Sequence, residues 1–162
     1  MEGDGVMEVC ELEDADATRA LGRRLAERLL SKALPDPPLL LLRGDLGAGK
    51  TCLVQGLAEG LGIGEPITSP TFALAHHYRG QLDGALPTAL VHLDLYRLEH
   101  PAAAAELFAQ EEEEARALGA VLAVEWPERL GTLPEPCWVV ELAFVGEGRE
   151  ARLVGAGISG HA

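Results

Sequence analysis

Residues 44–51 read Gly-Asp-Leu-Gly-Ala-Gly-Lys-Thr and fit the pattern GxxxxGK[ST]. These residue types at this spacing suit one task, the cradling of phosphate oxygens. The turn must aim backbone N–H groups inward with no side chain in the way, and glycine permits both. Leu46, Gly47, Ala48 and Gly49 are therefore expected to line the phosphates. A helix opening at Gly49 would add its free N–H groups and the positive end of its dipole. Lys50 would reach the β and γ phosphates, and the Thr51 hydroxyl would ligate Mg²⁺. At this composition the pattern arises by chance in roughly one of several hundred chains of this length. A plain strand-to-helix turn explains the glycines but gives no reason for Lys50.

Phosphoryl chemistry needs further groups: an acid at a strand end for the metal or its water, and a contact to the γ-phosphate. Two apolar runs end in acids, Ala89–Asp94 and Ala120–Glu125. Strands ending at the edge that carries the phosphate loop would bring Asp94 and Glu125 close to a bound metal. Spacing does not say which is nearer, and either acid alone reads equally well as a cap. Thr68, Ser69 and Thr71 lie in a loop stiffened by Pro66 and Pro70, where hydroxyls suit either γ-phosphate contacts or turn caps. Arg97 is a candidate charge stabiliser or a surface arginine. Trp126 suits a core anchor as well as a functional contact. His76, His77, His92 and His100 form no metal signature.

The elements that position these residues can be read from periodicity. Residues 6–13 read as a strand. Asp14 or Asp16 caps a following helix with a stripe of Leu21, Leu25, Leu29 and Leu30. Leu39–Leu42 suits a strand buried on both faces. Residues 49–61 form the helix after the phosphate loop, closed by Gly60, Gly62 and Gly64. Strands are expected over 72–78 and 89–95, with the polar stretch 79–88 as a hairpin connection. A helix over 102–118 with a weak stripe precedes the strand 120–125. Strands over 138–145 and 149–154 form a second hairpin. The expected fold class is α/β, a P-loop NTPase-like three-layer fold with a mixed β-sheet and two hairpins. Residues 1–162 are expected to form one domain, with 155–162 as a flexible tail.

Composition narrows the function classes. The net charge of −13 opposes direct contact with nucleic acid phosphates. The run Glu111–Glu114 reads as a solvated helix face. Cys10, Cys52 and Cys137 form no CxxC pair, which argues against zinc and disulfides and for a reducing compartment, the cytoplasm by default. No apolar run is long enough to cross a bilayer, and the acidic N-terminal stretch is neither a secretory signal nor a transit peptide.

GDLGAGKT at 44–51, SPTF at 69–72, HLDLYRL at 92–98 and EWPE at 125–128 occur in this order. Together they resemble the bacterial TsaE family, also called YjeE, from about Val9 to Arg152. The resemblance implies a small P-loop ATPase required for making threonylcarbamoyladenosine in tRNA, acting with a TsaB–TsaD pair and meeting tRNA through those partners. It implies ATP and Mg²⁺ as cofactors and a hydrolytic role that leaves the transfer itself to TsaD. It also implies that Lys50 binds phosphate and Thr51 the metal, and that Ser69 and Thr71 belong to a switch-like loop. By the same resemblance Asp94 would take the catalytic or metal-ordering position, and Glu125 would be a second acid on the metal, with Trp126 beside it in a second switch-like segment. Thr18 and Arg149 match positions of suspected nucleotide contact. The chain departs from the family pattern at Cys52, where threonine is usual, and over the segment 102–118. The residues alone leave two alternatives: a small-molecule kinase, for which no arginine-rich lid is evident, and a module that binds ATP without turnover. A GTPase would need an NKxD-like segment or a DxxG, and neither is present.

Overall fold

The computed structural model describes residues 7–31, 37–45, 47–70 and 74–156. Its elements in chain order are β1 (Met7–Leu12), α1 (Ala15–Ser31), β2 (Leu39–Gly44), α2 (Lys50–Gly60), β3 (Ala75–Leu82), β4 (Leu86–Asp94), α3 (Pro101–Leu118), β5 (Val121–Glu125), β6 (Cys137–Val145) and β7 (Gly148–Ala156). Short 3₁₀ turns occupy Asp83–Ala85 and Pro127–Leu130.

The strands form one seven-stranded sheet in the order β1-β7-β6-β2-β5-β4-β3. The four central strands are parallel, and the flanking pairs β1/β7, β6/β7 and β3/β4 are antiparallel. The sheet is therefore mixed and contains the two expected hairpins. Strand β2, which carries the phosphate loop, lies between β5 and β6. Its leucines alternate between two cores. Leu40 and Leu42 join Leu21, Leu25, Leu53 and Leu57 on the α1/α2 face. Leu39 and Leu41 join Leu93, Leu122 and Phe108 on the α3 face. The result is three layers. Each fully buried leucine contributes roughly 1.5–3 kcal/mol, so a run of four explains the central placement of β2.

Two glycines set how closely the helices of one layer approach. A Cβ on Gly56 of α2 would overlap the carbonyl of Arg19, and one on Gly22 of α1 would overlap the carbonyl of Leu53. The backbones of α1 and α2 thus touch directly, and the start of α1 comes up against the phosphate loop. Asp14 is the residue that caps α1, its Oδ1 accepting from the Ala17 N–H at 2.9 Å.

Several boundaries differ from the sequence expectations. The polar stretch 79–88 is strand for most of its length, because β3 and β4 pair from Ala75↔Leu93 to Leu82↔Leu86. Cross-strand pairing overrides the weak β-propensity of Gly80 and Pro87. The expected strand start at Phe72 lies outside the described residues. Leu30 is exposed, so the stripe of α1 is narrower than expected. Glu111 is not solvated. It is buried and its Oε1 lies 2.7 Å from His77 Nε2, tying α3 to β3. Glu113 and Glu114 are exposed as expected. Gly155 and Ala156 belong to β7, paired with Trp138 and Cys137, so the expected tail is strand at its start. Residues 157–162 of that tail lie outside the described residues. Among the described residues no helix is long and apolar enough to cross a membrane.

Candidate active site

The phosphate loop sits between the end of β2 and the start of α2. Gly47 and Gly49 have φ of 82° and 106°, left-handed values that a residue with a Cβ adopts at a cost. Ala48 donates its N–H to the Asp45 carbonyl at 3.1 Å, closing the turn. Gly49 precedes α2 without any side-chain cap, so the first N–H groups of that helix remain available to an anion. Lys50 is buried; its Nζ donates to the Gly44 carbonyl at 2.6 Å and lies 4.1 Å from the centre of the Trp126 ring. The ammonium is thereby held at the mouth of the loop. Leu46 and Thr71 lie outside the described residues.

Sheet register brings the acids together. β4 and β5 run parallel with Asp94 opposite Glu125, and β2 and β5 pair Leu42 with Glu125. Both carboxylates therefore stand at the C-terminal edge of the sheet, Glu125 on the strand next to the one that feeds the loop and Asp94 one strand further out. A cleft of about 380 Å³ is lined by Gly47, Gly49, Lys50, Thr51, Cys52, Ser69, Asp94, Tyr96, Arg97, Glu125 and Trp126. Its size suits a nucleotide-scale ligand.

The two acids occupy different surroundings. Burial pushes the Asp94 carboxyl above its usual range, and the nearby Glu125 carboxylate adds to the rise. The Tyr96 N–H, 2.9 Å from Asp94 Oδ1, pulls in the other direction. Glu125 is only 4% exposed, and its Oε2 lies 2.6 Å from Nε2 of the fully buried His92. A divalent cation fits this arrangement chemically. Two carboxylates crowd together beside a single ammonium, with the Thr51 hydroxyl lining the same cleft. Among the described residues no set of three His, Cys, Asp or Glu gathers into a metal cage. Mg²⁺ at a nucleotide site needs less, since one or two carboxylates and the substrate phosphates suffice.

Thr18 and Arg149 lie on the other side of the loop. Thr18 is buried, and both its Cγ2 and the Arg149 Cδ come within 3.7 Å of where a Cβ on Gly49 would stand. Arg149 Nη2 donates to the Gly47 carbonyl at 3.1 Å, and its guanidinium lies 4.9 Å from the Phe144 ring centre. These residues border the loop without lining the cleft of the two acids.

The contacts of Arg129 and His92 escaped the sequence reading, and Trp126, which the sequence left between core anchor and functional contact, lines the cleft. Trp126 adopts a left-handed φ of 59° and stacks near Tyr96, with ring centres 4.9 Å apart, so it faces the cleft. Arg129 lies 5.5 Å from the Tyr96 ring. His92, grouped among uninformative histidines, contacts a site carboxylate. Parallel register explains that contact, and one strand's pattern does not contain it.

Comparison with known proteins agrees with the geometry. The family described as threonylcarbamoyl adenosine biosynthesis protein TsaE matches residues 12–153. A Synechocystis sp. protein named tRNA threonylcarbamoyladenosine biosynthesis protein TsaE is 48% identical over 126 residues, covering 76% of this chain and 72% of the relative. A Nostoc sp. protein of the same name is 41% identical over 143 residues, covering 88% and 82%. The crystal structure of Bacillus subtilis YdiB superposes with a TM-score of 0.69 at 28% identity, covering 96% of this chain and 90% of that one. A family match over most of the chain, relatives above 40% identity and a shared fold agree, and the chain belongs to the TsaE family.

Proposed function

We propose that this protein binds and hydrolyses ATP with Mg²⁺, in the cytoplasm, in support of threonylcarbamoyl transfer to adenosine in tRNA by a TsaB–TsaD partner complex. The observation that carries the hydrolytic part is the pairing of Asp94 with Glu125 at the mouth of the phosphate loop. A loop alone binds phosphate, whereas a loop with two convergent carboxylates can also hold a metal and order a water.

In this reading the N–H groups of residues 46–51 and the Lys50 ammonium bind the phosphate chain. Thr51 and Glu125 would hold Mg²⁺, with Asp94 close enough to assist. When bound, the ion neutralises charge on the phosphate oxygens as it develops. Asp94 has the character of a proton acceptor, since its burial raises its basicity. We assign it the task of orienting the attacking water. Ser69 and Thr71 would belong to the segment that contacts the γ-phosphate, and Arg97 faces the cleft in which charge accumulates. Thr18 and Arg149 would contact the nucleotide on the far side of the loop.

The test is steady-state phosphate release from ATP, alone and with purified TsaB–TsaD. The proposal expects weak release alone, an increase with the partners, and dependence on Mg²⁺. Efficient phosphate transfer to a small acceptor would identify a kinase instead. Binding of ATP with no release under any condition would identify a module that uses nucleotide only to select a conformation.

A further inference from the structure

We infer that His92 is a positioning residue that fixes the rotamer of Glu125 and so holds one carboxylate oxygen ready for the divalent cation. The inference rests on the proposed metal-dependent nucleotide site and extends it to a residue outside the cleft. His92 is 0% exposed and lies in β4 two residues before Asp94, on the sheet face packed against α1 and α2. Its Nε2 is 2.6 Å from Glu125 Oε2 across the parallel pair β4/β5. An ionised carboxylate only accepts, so Nε2 carries the proton and donates. Oε2 is thereby occupied, which leaves Oε1 for the cleft that Glu125 lines.

A buried imidazole is a poor choice for filling space. Its neighbours in β4 are Leu90, Val91 and Leu93, all fully buried. His92 Nδ1 is buried and has no hydrogen-bond partner among the described residues. An unsatisfied buried polar atom costs stability, and an aliphatic side chain would avoid that cost. Among the described residues the one hydrogen bond His92 makes is the one to Glu125, so that bond accounts for the histidine where packing does not. Outer partners of this kind fix ligand orientation, and their loss typically weakens metal affinity by about 10–100-fold.

The experiment measures Mn²⁺ affinity by electron paramagnetic resonance in the presence of a non-hydrolysable ATP analogue. Analogue affinity in EDTA and the melting temperature serve as controls. The variants are His92→Leu, His92→Gln and Glu125→Gln, with His92→Leu also placed in the Glu125→Gln background. The glutamine amide reaches about as far as Nε2, so His92→Gln can still donate to Glu125.

His92→Leu is expected to lose about tenfold or more in Mn²⁺ affinity, with analogue affinity in EDTA unchanged. His92→Gln is expected to recover most of that loss. In the Glu125→Gln background His92→Leu is expected to bring no further loss, the non-additivity of a coupled pair. If His92→Leu does not fold, His92→Asn replaces it, since its amide stops short of Glu125. Wild-type Mn²⁺ affinity in the leucine or asparagine variant would overturn the inference. So would an equal loss in the Glu125→Gln background, or a glutamine variant no better than leucine. Absence of ATP turnover in the wild type would count against hydrolysis alone, because metal affinity is read without turnover. Absence of Mn²⁺ binding to the wild type would overturn both.

Discussion

At the residue scale, the two site acids have unequal surroundings. Asp94 is half-buried, close to Glu125, and its carboxyl is held above the usual range. The native state therefore binds its proton more tightly than the unfolded chain does. That contribution to stability is complete below the unfolded value of 3.8 and is lost as pH rises through the folded value. The ionised form of Asp94 is thus destabilising in the fold, a cost that the proposed role in hydrolysis would account for. Asp94→Asn is expected to raise the melting temperature at pH 7 without nucleotide or metal. The gap should narrow as pH is lowered and the wild-type carboxyl takes up its proton. Turnover should fall by at least about 100-fold with nucleotide binding retained. Thermal melts over a pH series, with calorimetry and phosphate release, check each part. A melting temperature that falls at pH 7 would contradict the assignment of Asp94 as a strained site acid.

Legibility at this scale was uneven. Gly47, Gly49, Lys50 and Thr51 were readable because the phosphate loop is a local motif whose geometry depends on neighbours in sequence. Asp94 and Glu125 were readable as strand ends, though only register places them side by side. His92 was not, and Trp126 stayed between core anchor and functional contact, because their partners lie on other strands or loops.

At the element scale, the placement of the loop depends on how closely α1 and α2 pack. Gly56 meets the Arg19 carbonyl and Gly22 meets the Leu53 carbonyl with no room for a methyl group. The same contact brings Thr18 against Gly49. Gly56→Ala replaces a poor helix former with a good one, a change that in an open helix would stabilise by up to about 1 kcal/mol. Here overpacking against backbone dominates, at a cost of about 1–3 kcal/mol. At roughly 2–4 °C per kcal/mol for a domain of this size, the melting temperature should drop by several degrees. Nucleotide affinity should weaken with it as α1 is displaced from the loop. A Gly56→Ala protein that melts higher than wild type would refute the close approach. The helices themselves were legible from their leucine spacing, whereas the glycine contact was not, because a glycine in a helix looks locally only like a weakness. The long β3–β4 hairpin was hidden for a related reason. Its middle is polar and glycine-bearing, and only pairing with a neighbour makes it strand.

At the scale of the whole molecule, charge limits the partners. A net charge of −13 opposes close approach to a polyanion. The chain alone is expected not to retain tRNA in a filter-binding assay at about 0.15 M salt, where attraction to phosphates drives most non-specific binding. Micromolar retention of tRNA by the isolated chain would require a basic surface that the acidic composition does not suggest. The three-layer architecture was legible from interleaved helices and strands. The order of strands was not, since β1 joins the sheet through β7, the last of the described strands. Such a long-range pairing leaves no local trace.

The proposed function depends on nucleotide phosphates sitting in the loop beside Lys50. Calorimetric titration of MgATP into Lys50→Ala, beside the wild type, tests this most directly. The account predicts clear binding to the wild type and a loss of about 100-fold or more in the variant, since a buried charge-assisted contact to phosphate is removed. A folded Lys50→Ala protein that binds ATP with wild-type affinity would contradict it.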